Sequence, residues 1–308
     1  MPENDGALIE SGSLTPGVSV EEFGLPPGTA LRLELPSPPL ADAITDYHVF
    51  DSDPVAHPDR DHVILPSWPV VRFAFSRQRI GLSIGPRDYS PVPPAALYGT
   101  ITRAQRLTSH GGVTVGAGIS PIGWSRLFRA SAADLRDRAV PLDRVWPSAD
   151  IRAVYDQLAS SDLARDVKPI LDGFLATRLG QPSRDEVYIR RFAAILREEG
   201  SDDLATIAEK VGVSAVTLRR LSTRYFGFPP KILLIRARFI RSIVRMLLSG
   251  DPTPNYELMS PAYFDIPHFL RDADRFLGMT PRRLLDQDNA YLIATLRARY
   301  ALLRAAER

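Results

Sequence analysis

Ile207-Ala208-Glu209-Lys210-Val211-Gly212-Val213-Ser214-Ala215-Val216-Thr217-Leu218-Arg219-Arg220-Leu221 is the stretch that decides how this chain is read. Leu204, Ile207, Ala208 and Val211 make the apolar stripe of a short helix. Gly212 supplies a residue able to take positive φ for a sharp turn, and Ser214 is a good N-cap for a second helix. In that second helix Leu218, Leu221 and Tyr225 share one face and pack inward, while Val216, Arg219, Arg220 and Thr223 lie opposite. Such a helix suits the major groove, because a guanidinium meets the O6 and N7 acceptors of guanine bidentately. Thr223 and Arg224 are placed to meet phosphates, which position a helix without reading sequence. A helical hairpin with surface arginines would give the same local pattern, so the segment alone leaves two readings open.

The pattern recurs 51 residues along. Ser214 maps onto Asp265, also a good N-cap, Leu218 onto Phe269, Arg220 onto Arg271 and Tyr225 onto Phe276. Phe226-Gly227-Phe228-Pro229-Pro230 maps onto Leu277-Gly278-Met279-Thr280-Pro281. Cap, core, arginine, glycine stop and proline restart all keep register, which marks an internal duplication. Between the copies Lys231–Ser249 reads as one helix closed by Gly250-Asp251-Pro252. At 1.5 Å per residue it is about 28 Å long, a spacer that can set two recognition helices roughly one DNA turn apart.

Charge patterning favours a polyanion. The net charge is only +2, but Met1–Pro182 holds 17 basic against 21 acidic residues. Lys210–Gly250 carries Lys210, Arg219, Arg220, Arg224, Lys231, Arg236, Arg238, Arg241 and Arg245 with no Asp or Glu at all. The second unit differs: Asp251–Asp288 holds four basic and seven acidic residues, so its attraction to phosphates is weaker.

The remainder sorts by period. Residues 1–40, rich in Pro, Gly, Ser and Glu, read as a flexible arm. Short apolar or alternating runs such as Tyr47–Phe50, Val70–Phe75, Ile80–Ile84 and Val113–Val115 give a β-rich domain over 41–146. Ile151, Val154, Tyr155 and Leu158 open a helical connector over 147–182, ending at Gly180-Gln181-Pro182-Ser183. Residues 183–288 form the all-α domain with both duplicated units, and 289–308 a last helix. That helix has a stripe of Leu292, Leu296, Tyr300 and Leu303, fit either to cap its own domain or to pair two copies. The fold expected is therefore α+β: a β-rich N-terminal sensing domain, a helical connector, and an all-α C-terminal domain with two helix-turn-helix units joined by a long helix.

At these residues the chain resembles the AraC/XylS family of transcription regulators. The resemblance lies in Ile207-Ala208, Gly212-Val213-Ser214, Leu218-Arg219-Arg220 and Gly227-Phe228-Pro229-Pro230, in Arg238-Phe239, and in Tyr263-Phe264-Asp265-Ile266-Pro267-His268-Phe269-Leu270-Arg271-Asp272 followed by Gly278-Met279-Thr280-Pro281. It covers about a third of the chain. A weaker likeness to one group of the family's N-terminal domains lies in Gly116–Trp124 and Pro141-Leu142. The resemblance implies promoter DNA and RNA polymerase as partners, and a β-rich domain open to a small-molecule effector. The chain departs from the family in its second unit: Ala262 after Pro261 where glycine is usual, Leu258 for a small residue, Ile266 for a polar one and Ala273 for an aromatic.

The candidate DNA contacts are therefore Val216, Arg219, Arg220, Thr223 and Arg224, and their counterparts Pro267, Leu270, Arg271 and Arg275, on helices capped by Ser214 and Asp265. The first unit is expected to anchor the protein and the second to read less. Other chemistry is poorly represented. With no cysteine there is no thiol nucleophile, disulfide or Cys-ligated zinc. His57 and His62 have no partner at metal-ligand spacing, and the Gly111-Gly112 and Gly116-Ala117-Gly118 cluster lacks a nucleotide-loop pattern. Trp68, Trp124 and Trp146 read as core more readily than as a pocket. No active site, metal or cofactor is expected. No apolar run reaches membrane-spanning length and no signal peptide opens the chain, so a cytoplasmic protein is expected. The competing reading is a ligand-binding or enzymatic N-terminal domain whose helical tail makes only protein contacts.

Overall fold

Strand alternation sets the N-terminal half. In Val113-Thr114-Val115 and in Val71-Arg72-Phe73 the apolar side chains are sealed and the polar ones between them are half-buried on the other face. In the computed structural model, which describes residues 8–13, 23–58, 60–76, 80–200 and 203–306, the strands are β1 (Gly12–Ser13), β2 (Thr29–Glu34), β3 (Ile44–Ser52), β4 (Arg60–Ile64), β5 (Val70–Phe75), β6 (Gly81–Ile84), β7 (Arg87–Tyr89), β8 (Ala95–Tyr98), β9 (Gln105–Ser109), β10 (Gly112–Ile119) and β11 (Ala139–Pro141). They form one sheet in the order β1-β2-β3-β10-β5-β8-β11 and a second in the order β4-β9-β6-β7. Apart from β1, which joins β2 in parallel, every pairing is antiparallel. All four runs picked out by alternation fall in strands, save that Ile80 stands just before β6.

One face of the large sheet, with Tyr47, Val49, Val71, Phe73 and Val115, packs on helices α1 (Pro121–Leu127), α2 (Ser148–Ala159) and α3 (Val167–Ala176). Trp124, Phe128 and Trp146 stack there, Trp146 over Phe128 at 5.2 Å. The same apolar core continues without a break into α4 (Glu186–Ile195), α5 (Leu204–Val211) and α6 (Ala215–Leu221) through Phe192, Leu218 and Phe226. The Gly180–Ser183 segment is bridged rather than free. The Gly180 amide donates to the Arg126 carbonyl at 3.0 Å, and the Arg126 guanidinium grips both Glu186 oxygens at 2.8 and 2.6 Å. Helices α7 (Pro230–Ser249), α8 (Ile266–Leu277), α9 (Pro281–Leu285) and α10 (Ala290–Ala306) complete the chain.

Two expectations need correction. Residues 1–40 are not all arm: Thr29–Glu34 forms strand β2 with all six residues buried. Its alternation is hidden because both faces are covered, Leu31 and Leu33 by the C-terminal helix and Arg32 by its ion pair with Glu34 at 2.8 Å. Residues 1–7 and 14–22 of that arm lie outside the described part. The last helix turns half of the expected stripe inward, Leu292 and Leu296 packing on the core of the second unit, and adds a second stripe. Ala294, Ala298 and Leu302 pack on Phe23, Leu31 and Leu33, while Tyr300 and Leu303 stay exposed. Small alanines let α10 lie close on the sheet. It therefore closes onto the N-terminal sheet of its own chain.

Beside that contact lies a buried polar cluster. His48 Nδ1 and Asp46 Oδ1 are 2.8 Å apart, and Arg299 of α10 reaches Asp46 at 3.4 Å. Gly116 makes room for His48, since a Cβ there would sit 2.1 Å from Nε2. Burial holds the His48 imidazole below its ordinary value, against the pull of Asp46 and with further depression from Arg72 and Arg299. Burial would raise Asp46, but Arg299, His48 and Thr45 together hold it below the usual carboxylate range.

Two outcomes follow from this cluster. Gly116→Ala is expected to destabilise the protein by about 2 kcal/mol through overpacking. In a double-mutant cycle by urea denaturation, His48→Ala should absorb much of that loss. Because the folded His48 pKa lies below its unfolded value near 6.5, stability should hold above about pH 6.5 and fall as pH drops through it. His48→Gln should flatten the stability profile below about pH 6.5.

Candidate nucleic-acid interface

The first unit is built as its sequence dictates. Asp203 caps α5 by accepting from the Ala205 and Thr206 amides. Gly212 ends it at φ 86°, a left-handed conformation that a β-carbon would strain. The Ser214 hydroxyl accepts from the Thr217 amide at 3.2 Å and opens α6. Leu218 and Leu221 are sealed, and Tyr225 and Phe226 close the core behind a last turn, Ser222–Phe226, that winds as a π-helix before Gly227. Outward, Val216 is 81% exposed and Arg219, Arg220 and Arg224 are exposed, while Thr223 is half-buried.

The second unit keeps the capped second helix and alters its support. The Asp265 carboxylate accepts from the His268 amide at 2.7 Å and opens α8, which ends at Gly278 with φ 68°. Phe269, Ala273, Phe276 and Leu277 are buried. Pro267, Arg271 and Arg275 are exposed, with Leu270 half-buried. In place of the supporting helix there is a single 3-10 turn, Tyr256–Leu258, capped by Asn255. Pro252 and Pro254 precede it, and Pro261 pushes Ser260 out of helical space, so two helical turns have no room. Ala262 takes no left-handed conformation, since Asp137 is the one non-glycine residue with positive φ among those described.

Each turn is instead clamped from in front by an arginine. Arg191 of α4 donates to the Val211 carbonyl at 3.0 Å, and Arg238 of α7 donates to the Ala262 carbonyl at 3.2 Å. Val211 and Ala262 are 51 residues apart, equivalent positions of the duplication. Arg238 also meets Asp272 at 3.0 Å and lies 4.2 Å over the Tyr263 ring, whose hydroxyl donates to Asp272 at 2.9 Å. Burial raises the Tyr263 hydroxyl well above its ordinary value, with Asp272 beside it adding to the effect. Apart from Arg238, which the family pattern touched, these clamps have no local sequence signal.

The basic window is thus split between folding and surface. Arg236 is buried against Trp68 and donates to the Ile101 carbonyl at 3.0 Å. Arg238 is held by Asp272, Arg241 donates to the Leu196 carbonyl, and Arg245 pairs with Glu199. Arg219, Arg220, Arg224 and Lys231 remain on the surface. His268 lies beside Arg238 and Tyr263, a structural place. Among the described residues no group of three or more His, Asp or Glu side chains is arranged to hold a metal, and no helix is long and apolar enough to cross a membrane.

No family model matches the chain, and no curated protein matches its sequence. Among solved structures, apo ToxT K231A from Vibrio cholerae strain SCE256 aligns with a TM-score of 0.44 at 10% identity, covering 85% of this chain and 98% of that one. Another crystal form of ToxT from Vibrio cholerae aligns with a TM-score of 0.44 at 12% identity, over 74% of this chain and 98% of that one. The AraC-like transcriptional activator CuxR aligns with a TM-score of 0.27 at 14% identity, over 77% and 90% of the two chains.

The clamps make a measurable distinction. Arg238→Ala leaves Asp272 buried without its counter-ion and is expected to cost about 3 kcal/mol in urea denaturation. Arg191→Ala, which removes one bond to a carbonyl, should cost about 1 kcal/mol.

Proposed function

We propose that this chain is a sequence-specific DNA-binding transcription regulator of the AraC/XylS type. The observation that carries the reading is the face of α6. Val216, Arg219 and Arg220 stand outward on a capped helix whose opposite side is sealed by Leu218 and Leu221, and the same layout returns on α8. A helix held rigidly by its back, with guanidinium groups free in front, is what base readout in the major groove requires. The family motifs in both units support the same reading. Partners on this reading are double-stranded promoter DNA and RNA polymerase, and the protein acts in the cytoplasm without enzymatic chemistry.

The first unit anchors and the second reads with less charge, since Arg271 and Arg275 share their exposed helix with Asp265 and Asp274. Regulation enters through the β-rich domain, in contact with both units. The Ala104 amide donates to the Phe276 carbonyl at 2.6 Å, and a Cβ on Gly227 would meet Thr100 at 3.2 Å. A polar effector is supported by His48 Nε2 and Arg72 Nε, two buried atoms without hydrogen-bond partners on the face of the large sheet turned away from α1, α2 and α3.

The test is binding of the full chain to its own upstream DNA and to unrelated DNA over a salt series. Preference for the upstream DNA, falling affinity with salt and a loss of about a hundredfold in Arg219→Ala/Arg220→Ala are the expected results. Arg271→Ala should weaken binding by only about fivefold. Equal, weak and variant-independent binding to both DNAs would overturn the regulator reading, and equal losses at Arg271 and Arg220 would overturn the asymmetry.

A further inference from the structure

Phe264 is 93% exposed, and it stands immediately before the cap of α8. An apolar residue in that place ordinarily folds back on the fourth residue of the helix as a hydrophobic staple. Here that residue is Phe269, fully buried and already covered by the rings of Phe239, Tyr256 and Tyr263. Phe264 therefore has no seat inside the molecule. Ile266 and Pro267, the first residues of the helix, are exposed beside it, so the tip of α8 is an apolar knob. Within the helix, Pro267 shares a face with Arg271 one turn further on, and Phe264 stands just ahead of them across the extended cap residue Asp265.

We infer that this knob reads the C5-methyl groups of thymine in the major groove, making Phe264 the specificity-determining residue of the second unit. The inference rests on the DNA-binding reading above. Three features of the site point to this occupant. The duplication puts the knob where the first unit enters the groove, Val216 mapping onto Pro267. The N-terminal end of a recognition helix is the end that meets base edges. Exposed Arg271 and Arg275 on the same helix offer phosphates two cations, which offset the exposed Asp265 and Asp274. Apolar side chains discriminate bases through the thymine methyl, which needs no charge on the protein. The acidic balance of this unit is compatible with reading of that kind.

The experiment uses the full chain and a duplex that the wild type selects from a random pool. Each thymine of that duplex is replaced singly by deoxyuridine, which removes only the methyl group. At one or two positions the wild type should lose about fourfold in affinity, the worth of one buried methyl. Phe264→Ala should bind the parent duplex about as weakly and show no response to deoxyuridine at those positions, with an unchanged Tm. Arg219→Ala/Arg220→Ala serves as the control for the anchor. If that control loses binding while no thymine distinguishes wild type from Phe264→Ala, the inference is overturned and the regulator reading stands. A shift in oligomeric state with Phe264→Ala and no deoxyuridine effect would also overturn it, assigning the knob to a second copy of the chain. Failure to select any duplex would overturn both.

Discussion

Arg236 carries its guanidinium into a buried position on α7, facing the Ser67 and Ile101 carbonyls with the Trp68 ring 4.4 Å away. Burial lowers its pKa to about 10, with Asp137 opposing the shift, so it is charged at neutral pH. A charge so placed is tolerated only while its donors are matched, and the matching groups belong to the β-rich half. Helix α7 cannot slide or rotate against that half without leaving a cation unsolvated. Both recognition helices hang from α7: the first unit ends at its N-terminus, and the second is pinned to its middle by Arg238 and Ser242. Arg236 thus joins the shared apolar core and the Ala104–Phe276 hydrogen bond in setting their orientation relative to the N-terminal sheets.

Much of the fold was legible because it is written over short distances. Caps at Ser214 and Asp265, the glycine stops and the period-two runs of β3, β5 and β10 each need only a few neighbouring residues to declare themselves. Strand β2 was not legible, because both of its faces are covered by groups distant in sequence, among them Ala294 and Ala298 of α10. The stripe of α10 was legible in part: Leu292 and Leu296 pack inward as their spacing suggests, but the contact with the sheet runs through Ala294 and Ala298, small residues that carry little hydrophobic signal.

The acid-free window gives the sharper lesson about the site. Counting charges along the chain treats neighbours in sequence as neighbours in space, yet Arg238 and Arg245 find Asp272 and Glu199 outside the window. Arg236 and Arg241 donate to carbonyl oxygens, which no charge count includes, and Arg241 also lies 4.0 Å from Glu199. The outward arginines of α6 were recognisable because their helix places them opposite an apolar stripe. The exposed tip at Phe264 was not, because an aromatic residue before a cap is the pattern of a staple, and only packing reveals that its seat on Phe269 is taken.

The two units show how a duplicated module can lose one support and keep its recognition helix. The first relies on a full supporting helix and a left-handed glycine, with Arg191 as an addition. The second, shortened by prolines and lacking that glycine, replaces local backbone geometry with a tertiary network of Arg238, Asp272, Tyr263 and Ser242. That exchange moves the determinant of α8's position from its own turn onto α7. A displacement of α7 against the β-rich half would therefore carry α8 with it through a charged network, whereas the first unit is held separately by the shared core at Phe226. The second helix is the one whose placement depends most directly on the contact between the halves.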